Sequence, residues 1–208
     1  MRVWGHRYNR DLQRYSLALR MIGHEARTHT ICEWTGLPPE RIRILCRTYA
    51  RDHGKQHAVR HRGPSPQNLS FFLRSSRLRS EAAAIAGLCY VLDVIPWRKL
   101  PNARRELPNV MRGQRMCLAL EMYRKLVPAS KITLEHIVLL VTAIAQGNEL
   151  RVIHCLGCGG AIIMDRFELA RRRCTHCSEQ QTRGALVRLR VQSSAIGEAS
   201  PGGQQPLL

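Results

Sequence analysis

Acidic residues are scarce in this 208-residue chain: Asp plus Glu total 15 against 33 Lys plus Arg, a formal net charge of +18. Lysine is nearly absent as well, confined to Lys55, Lys99, Lys125 and Lys131. The positive charge is therefore almost all arginine, whose planar fork of donors matches phosphate and guanine edges. A polyanion is the expected partner, and nucleic acid is the commonest one. Long apolar runs are missing. The longest, Ile137 to Ala145, is interrupted by Thr142 and falls short of the roughly 18 to 20 apolar residues a membrane span requires. The opening residues, MRVWGHRYNR, have no apolar centre, so no secretion signal reads there. A soluble cytoplasmic protein with no membrane contact is expected. Catalytic signatures are lacking too: there is no HExxH, no phosphate loop and no Gly-x-Ser-x-Gly, and the few acids are too scattered to place an acid/base pair. No enzymatic activity is expected. Aromatics are only 5% of the chain, without the pairs that stack on unpaired bases. No internal repeat is present.

Against these absences stand eight cysteines. Four form two Cys-x-x-Cys pairs, Cys155-Leu-Gly-Cys158 and Cys174-Thr-His-Cys177, with residues 159–173 between them. Such a pair presents two sulfurs to one ion from a tight turn, and two pairs complete a tetrahedron suited to zinc. In a reducing compartment metal is favoured over disulfides. Gly159 and Gly160 follow the first pair and let the backbone turn its amides toward sulfur. A closed set of four thiolates leaves no position for a catalytic water, so the expected ion is one structural Zn2+. His154 and His176 flank the thiols and are expected to be bystanders or outer donors. Cys32, Cys46, Cys89 and Cys117 sit singly in apolar helical patterns and read as buried structural thiols.

Along the chain, residues 1–8 read as a loose leader. From Asn9 a helical period (Leu12, Tyr15, Leu19, Ile22, Ala26) runs to about Trp34 and stops at Thr35-Gly36. Leu37-Pro38-Pro39-Glu40 opens a second helix with Ile42, Leu45, Cys46 and Tyr49 on its apolar face. Cys32 lies four residues before Gly36, Ile42 six after it and Leu45 nine after it, the spacing of a helix-turn-helix corner. The same spacing also occurs in αα-corners that touch no DNA. Arg41, Arg43, Arg47 and Arg51 are placed on the second helix to face phosphate or bases. Residues 52–66 read as a basic polar loop whose histidines (His53, His57, His61) are solvated rather than metal-bound. Helices are expected over 65–94, ended by Pro96, over about 110–126, and from a Thr133 cap to Gln146-Gly147-Asn148. Between the first and second of these stretches, residues 97–108 form a turn-rich connection. Glu149–His154 and Ala161–Met164 read as strands on either side of the first cysteine pair, the order of a zinc ribbon. Arg171, Arg172 and Arg173 lead into the second pair and are expected to offer salt-sensitive, sequence-independent affinity for DNA. The fold class expected is mostly α: a helical body (9–148) with a helix-turn-helix-like corner, a small four-cysteine zinc-ribbon-like lobe (149–182), and a basic, then disordered tail (183–208).

Three stretches resemble the C subunit family of the bacterial flagellar transcriptional activator. The first is Arg20-Met-Ile-Gly-His-Glu-Ala-Arg27 continued by Leu37-Pro-Pro-Glu-Arg-Ile-Arg-Ile-Leu-Cys-Arg-Thr-Tyr49. The second is Arg62-Gly-Pro-Ser-Pro-Gln-Asn-Leu-Ser-Phe-Phe-Leu73, and the third is the pair Cys155-Leu-Gly-Cys158-Gly-Gly and Cys174-Thr-His-Cys177. The resemblance implies that Cys155, Cys158, Cys174 and Cys177 hold one structural zinc. It also implies assembly with a small helical D subunit, two C and four D chains together, binding to double-stranded promoter DNA, work with RNA polymerase, and activation of flagellar genes. The expectation from another class is an RNA- or ribosome-associated zinc-binding protein; a purely structural zinc scaffold for protein assembly is a third.

Overall fold

The computed structural model describes residues 3–52, 54, 66–95, 107–169 and 172–182, with side chains from Arg7 onward. Most of the histidine-bearing loop, the connection 96–106, Arg171 and the tail from 183 lie outside the described residues. The chain is mostly helical: α1 (Val3–Gly23), α2 (Thr28–Thr35), α3 (Pro39–Asp52), a 3-10 turn (Leu69–Leu73), α4 (Ser76–Val91), α5 (Val110–Leu126) and α6 (Leu134–Gln146). A two-stranded antiparallel sheet follows, β1 (Leu150–His154) and β2 (Ala161–Asp165), paired from Leu150↔Asp165 to His154↔Ala161. Among the described residues no helix is long and apolar enough to cross a membrane.

Three expectations require correction. Residues 3–8 of the expected leader belong to α1, which continues the Leu12–Leu19 period toward the N-terminus. The single helix expected from Asn9 to Trp34 is two helices. The chain turns at Glu25, with φ 60, and the Ala26 amide closes on Met21 O at 3.0 Å while the Glu25 amide reaches Ile22 O at 2.9 Å. That is the hydrogen-bond pattern of a helix C-terminus, with a non-glycine residue where glycine is preferred. The restart depends on a distant group. The α2 N-cap, Arg27, has no side-chain cap of its own. Its amide donates to Glu135 Oε1 at 2.8 Å, and Thr30 Oγ1 donates to Glu135 Oε2 at 2.9 Å. Glu135 lies in the first turn of α6 and is buried. One carboxylate thus lies at the positive ends of two helices, where such a charge is stabilised. The third correction concerns residues 65–94: a 3-10 turn capped by Asn68, whose Oδ1 accepts from Ser70 N, precedes α4, which is capped by Ser75 and ends at Val91, before Pro96.

The other expected boundaries hold. Gly36 is left-handed (φ 68) and its amide bonds Cys32 O, closing α2 just before α3 starts at Pro39. Asn109 caps α5 through the amides of Met111 and Arg112. Thr133 precedes α6, and its amide donates to His136 Nδ1 at 3.2 Å. Gly147 (φ 65) ends α6. Gly113 permits a close approach of α5 to α1 and α2, because a Cβ there would sit 2.7 Å from Leu17 Cδ2 and 3.2 Å from Trp34 Cε3. Apolar side chains from all six helices and the 3-10 turn meet in one core, with Leu17, Ile31, Ile42, Phe72, Ile85, Leu120 and Leu140 among its buried members.

The hairpin is a two-sided plate. Side chains alternate across a strand. Leu150, Val152 and Ile163 therefore join the main core, while Ile153, Ile162 and Met164 face a second, small cluster with Cys155, Cys174 and Cys177. One face of the sheet closes the helical body and the other carries the cysteine lobe.

Candidate metal centre and nucleic-acid interface

The first cysteine pair occupies the tip of this hairpin. The Cys155 amide donates to Gly160 O at 2.8 Å and the Gly159 amide to Cys155 O at 2.9 Å, which makes the connection a compact turn. Gly159 takes φ 70, a conformation that suits glycine. A Cβ at Gly157 would lie 3.1 Å from Cys177 Sγ, and one at Gly160 would lie 3.3 Å from Cys158 Sγ. The bare backbone at both positions leaves the sulfurs room.

The second pair begins a helical stretch, 175–182, rather than a second isolated turn. The Ser178 amide bonds Cys174 O at 2.9 Å, and the Cys177 amide points at Cys174 Sγ at 3.4 Å. Sulfurs at the start of a helix lie at its positive end. The pairs are tied together through the backbone: the Leu156 amide donates to Arg172 O at 2.9 Å, and the Cys174 amide reaches Cys155 Sγ at 3.2 Å.

These contacts bring the four sulfurs within 4.8 Å of one another. Cys158 Sγ and Cys174 Sγ, one from each pair, are 3.8 Å apart. A tetrahedral ion with metal–sulfur bonds of about 2.3 Å demands sulfur–sulfur edges of about 3.8 Å, so the donor set fits one ion with four soft ligands. The electrostatics point the same way. Backbone amides, that of Cys174 foremost and then that of Cys158, hold the Cys155 thiol down to about 6. The neighbouring sulfurs of Cys174 and Cys158 push Cys177 up to about 12. Amide dipoles stabilise the first thiolate, and crowding opposes the last until a cation neutralises the set. Neither flanking histidine is in the cluster. His154 Nδ1 sits 3.3 Å from Gly159 O, steadying the first turn, and His176 pairs with Gln180. The single cysteines also lie where expected: Cys46, Cys89 and Cys117 are buried and Cys32 half-buried. Burial pushes Cys89 and Cys117 up to about 12.

Two sets of arginines surround this architecture. On α3, Ile42, Cys46 and Ala50 are buried against the body, and Arg41, Arg43, Arg47 and Arg51 are exposed. Arg43 pairs with Glu40 one turn away, and Arg51 lies 3.8 Å from Asp52. Arg41 and Arg47 have no ion-pair partner among the described residues. Ile44, 48% exposed, projects among them. Sequence periodicity left Ile44 off the apolar face without assigning it a role, and a methyl-bearing side chain on such a helix can touch a thymine methyl. In the lobe, Arg172 and Arg173 are exposed, and the Arg172 carbonyl is part of the tie to the first pair. Arg171 lies outside the described residues.

One connection escaped the sequence. Arg79 of α4 grips Glu168 with Nη1 at 2.8 and 3.1 Å and bonds Leu73 O through Nη2 at 3.3 Å. This pair fastens the segment before the second cysteine pair to the helical body. Its members are 89 positions apart, so no local pattern could reveal it. Compared with known proteins, the chain matches no family model and no curated protein.

Proposed function

We propose that this chain is a duplex-DNA-binding transcriptional regulator whose lobe is closed by one structural Zn2+. The observation that carries the reading is α3, packed by one face on the body behind a glycine-terminated turn while Arg41, Arg43, Arg47 and Arg51 occupy its open side. A helix so presented fits the major groove, with arginines reaching phosphates and guanine edges. The four-sulfur cluster supports zinc in particular, since four thiolates in a closed tetrahedron suit that ion and leave no open position for catalysis. Arg172 and Arg173 add charge from a lobe that the ion holds together. The resemblance to the C subunit of the flagellar activator extends the proposal to flagellar promoters, a small helical D-type partner subunit and RNA polymerase in the cytoplasm.

Duplex DNA and single-stranded RNA are compared by gel shift across a salt series. The expected result is duplex preference with affinity falling steeply as salt rises. Replacing Arg41, Arg43 and Arg47 together by alanine should weaken duplex binding and flatten the salt dependence by about one unit per lost phosphate contact. Binding to RNA in preference to duplex would assign the chain to RNA-associated zinc proteins, and no duplex binding would remove the regulator reading. Elemental analysis should find about one zinc per chain, and Cys158→Ser should lose it.

A further inference from the structure

Phe167 and Leu169 are the most exposed large apolar side chains among the described residues, at 88% and 90%. They are held outward by what lies between and before them. Asp165 Oδ1 accepts the Phe167 amide at 2.8 Å, and the Asp165 carbonyl accepts the Glu168 amide at 3.2 Å. Glu168 turns inward to Arg79, both partners being mostly buried, and its carbonyl accepts from Arg151 Nη2. Residues on either side of a side chain pinned inward are left facing solvent. The pair is bracketed by exposed arginines, Arg166 before it and Arg172 and Arg173 after it.

We propose that Phe167 and Leu169 form an apolar wedge that enters a base step of duplex DNA, with Arg166, Arg172 and Arg173 on the flanking phosphates. Apolar side chains inserted between stacked bases with arginines beside them are a known way of gripping the minor groove. The charge favours DNA over a protein occupant: exposed arginines outnumber acids around the apolar tips, Glu168 being committed to Arg79 and Asp165 holding the Phe167 amide. Pinning through Arg79 and Arg151 removes entropy in advance, so insertion loses less on ordering. Pyrimidine–purine steps, which unstack most readily, are the expected targets. This inference rests on the duplex-DNA reading above.

The test uses the full-length metal-loaded protein and a mixed-sequence duplex with 2-aminopurine replacing adenine at TA steps. Native protein should bind the duplex and raise 2-aminopurine fluorescence by unstacking it. The variant carrying Phe167→Ala and Leu169→Ala should lose that rise and about tenfold in affinity, with unchanged salt dependence, metal content and circular dichroism. Phe167→Trp should preserve the rise. Duplex binding without any fluorescence change overturns the wedge and leaves the DNA reading standing. Unchanged duplex affinity in the double alanine variant also overturns it and assigns the two side chains to a protein contact. Absence of duplex binding by native protein removes the DNA reading, and the wedge with it.

Discussion

In the helical body, side chains from six helices converge on one apolar core, whereas on the outer face of the hairpin only Cys155, Ile162 and Met164 are buried among the described residues. Apolar burial worth about 25 cal/mol per Å2 can hold the first region; so few buried groups cannot hold the second. The lobe is ordered by hydrogen-bonded turns, and its four crowded sulfurs could hold an ion that neutralises them. The two regions share one structural part, the hairpin, whose opposite faces belong to different cores. Small regions without a core of their own acquire order from a metal or from a scaffold, and here the scaffold and the four-cysteine cluster meet at the same two strands.

The contrast is tested most severely by removing the metal. Chelation, or Cys158→Ser, should unfold the lobe, because structural zinc supplies about 10 kcal/mol or more to such sites. Helical circular dichroism should persist. Cys155, Cys158, Cys174 and Cys177 should then react with iodoacetamide, while Cys89 and Cys117, buried and held near 12, should not. Collapse of the helical signal together with the metal would show that the two regions are not separable.

Substitutions on the two faces of β2 sharpen the division. Ile163→Ala removes a fully buried side chain from the main core and should lower global stability by about 2–5 kcal/mol in urea unfolding. Ile162→Ala, on the lobe face, should weaken metal retention against a chelator more than it lowers the body's unfolding midpoint. Equal effects of the two substitutions on the midpoint would break the comparison.

Smaller effects should stay within the body. Glu135→Ala leaves the Arg27 amide and Thr30 hydroxyl without their shared acceptor, an expected loss of about 2–3 kcal/mol with metal content unchanged. Gly113→Ala drives a methyl onto Leu17 and Trp34 and should cost about 1–3 kcal/mol. The smallest effect concerns acid. Glu121 bonds Arg20 at 2.6 and 2.8 Å and His24 at 2.9 Å. The Arg20 bond foremost holds its carboxyl down to about 2, from an ordinary value of 4.5. A depressed carboxylate contributes stability that is fully present above its unfolded value and lost as pH falls through its folded one. The body should therefore weaken between about pH 4.5 and 2, and Glu121→Gln should flatten that decline. An unchanged acid slope in the variant would assign the decline to other groups.

Much of this was legible residue by residue. The cysteine spacing, the glycine helix ends, the Thr133 start of α6 and the two strands are local features, and local geometry follows from a few neighbouring side chains. The break between α1 and α2 was not legible. Its period continues smoothly from Leu12 to Ala26, and the group that caps α2 comes from α6. The 3-10 turn at Leu69–Leu73 was hidden for a related reason: it has the apolar content of a helix, and only packing selects its tighter winding.

By itself, the sequence determined the mostly helical fold class and the four-cysteine cluster, because apolar periodicity and four thiols at two short spacings have few structural outcomes. Only the tertiary structure decided which side chains of the hairpin belong to which core. It also decided that a buried carboxylate from α6 would start α2, and that Arg79 would pin Glu168 and leave Phe167 and Leu169 in solvent. Those outcomes depend on groups far apart in the chain that meet only when apolar burial brings their helices together.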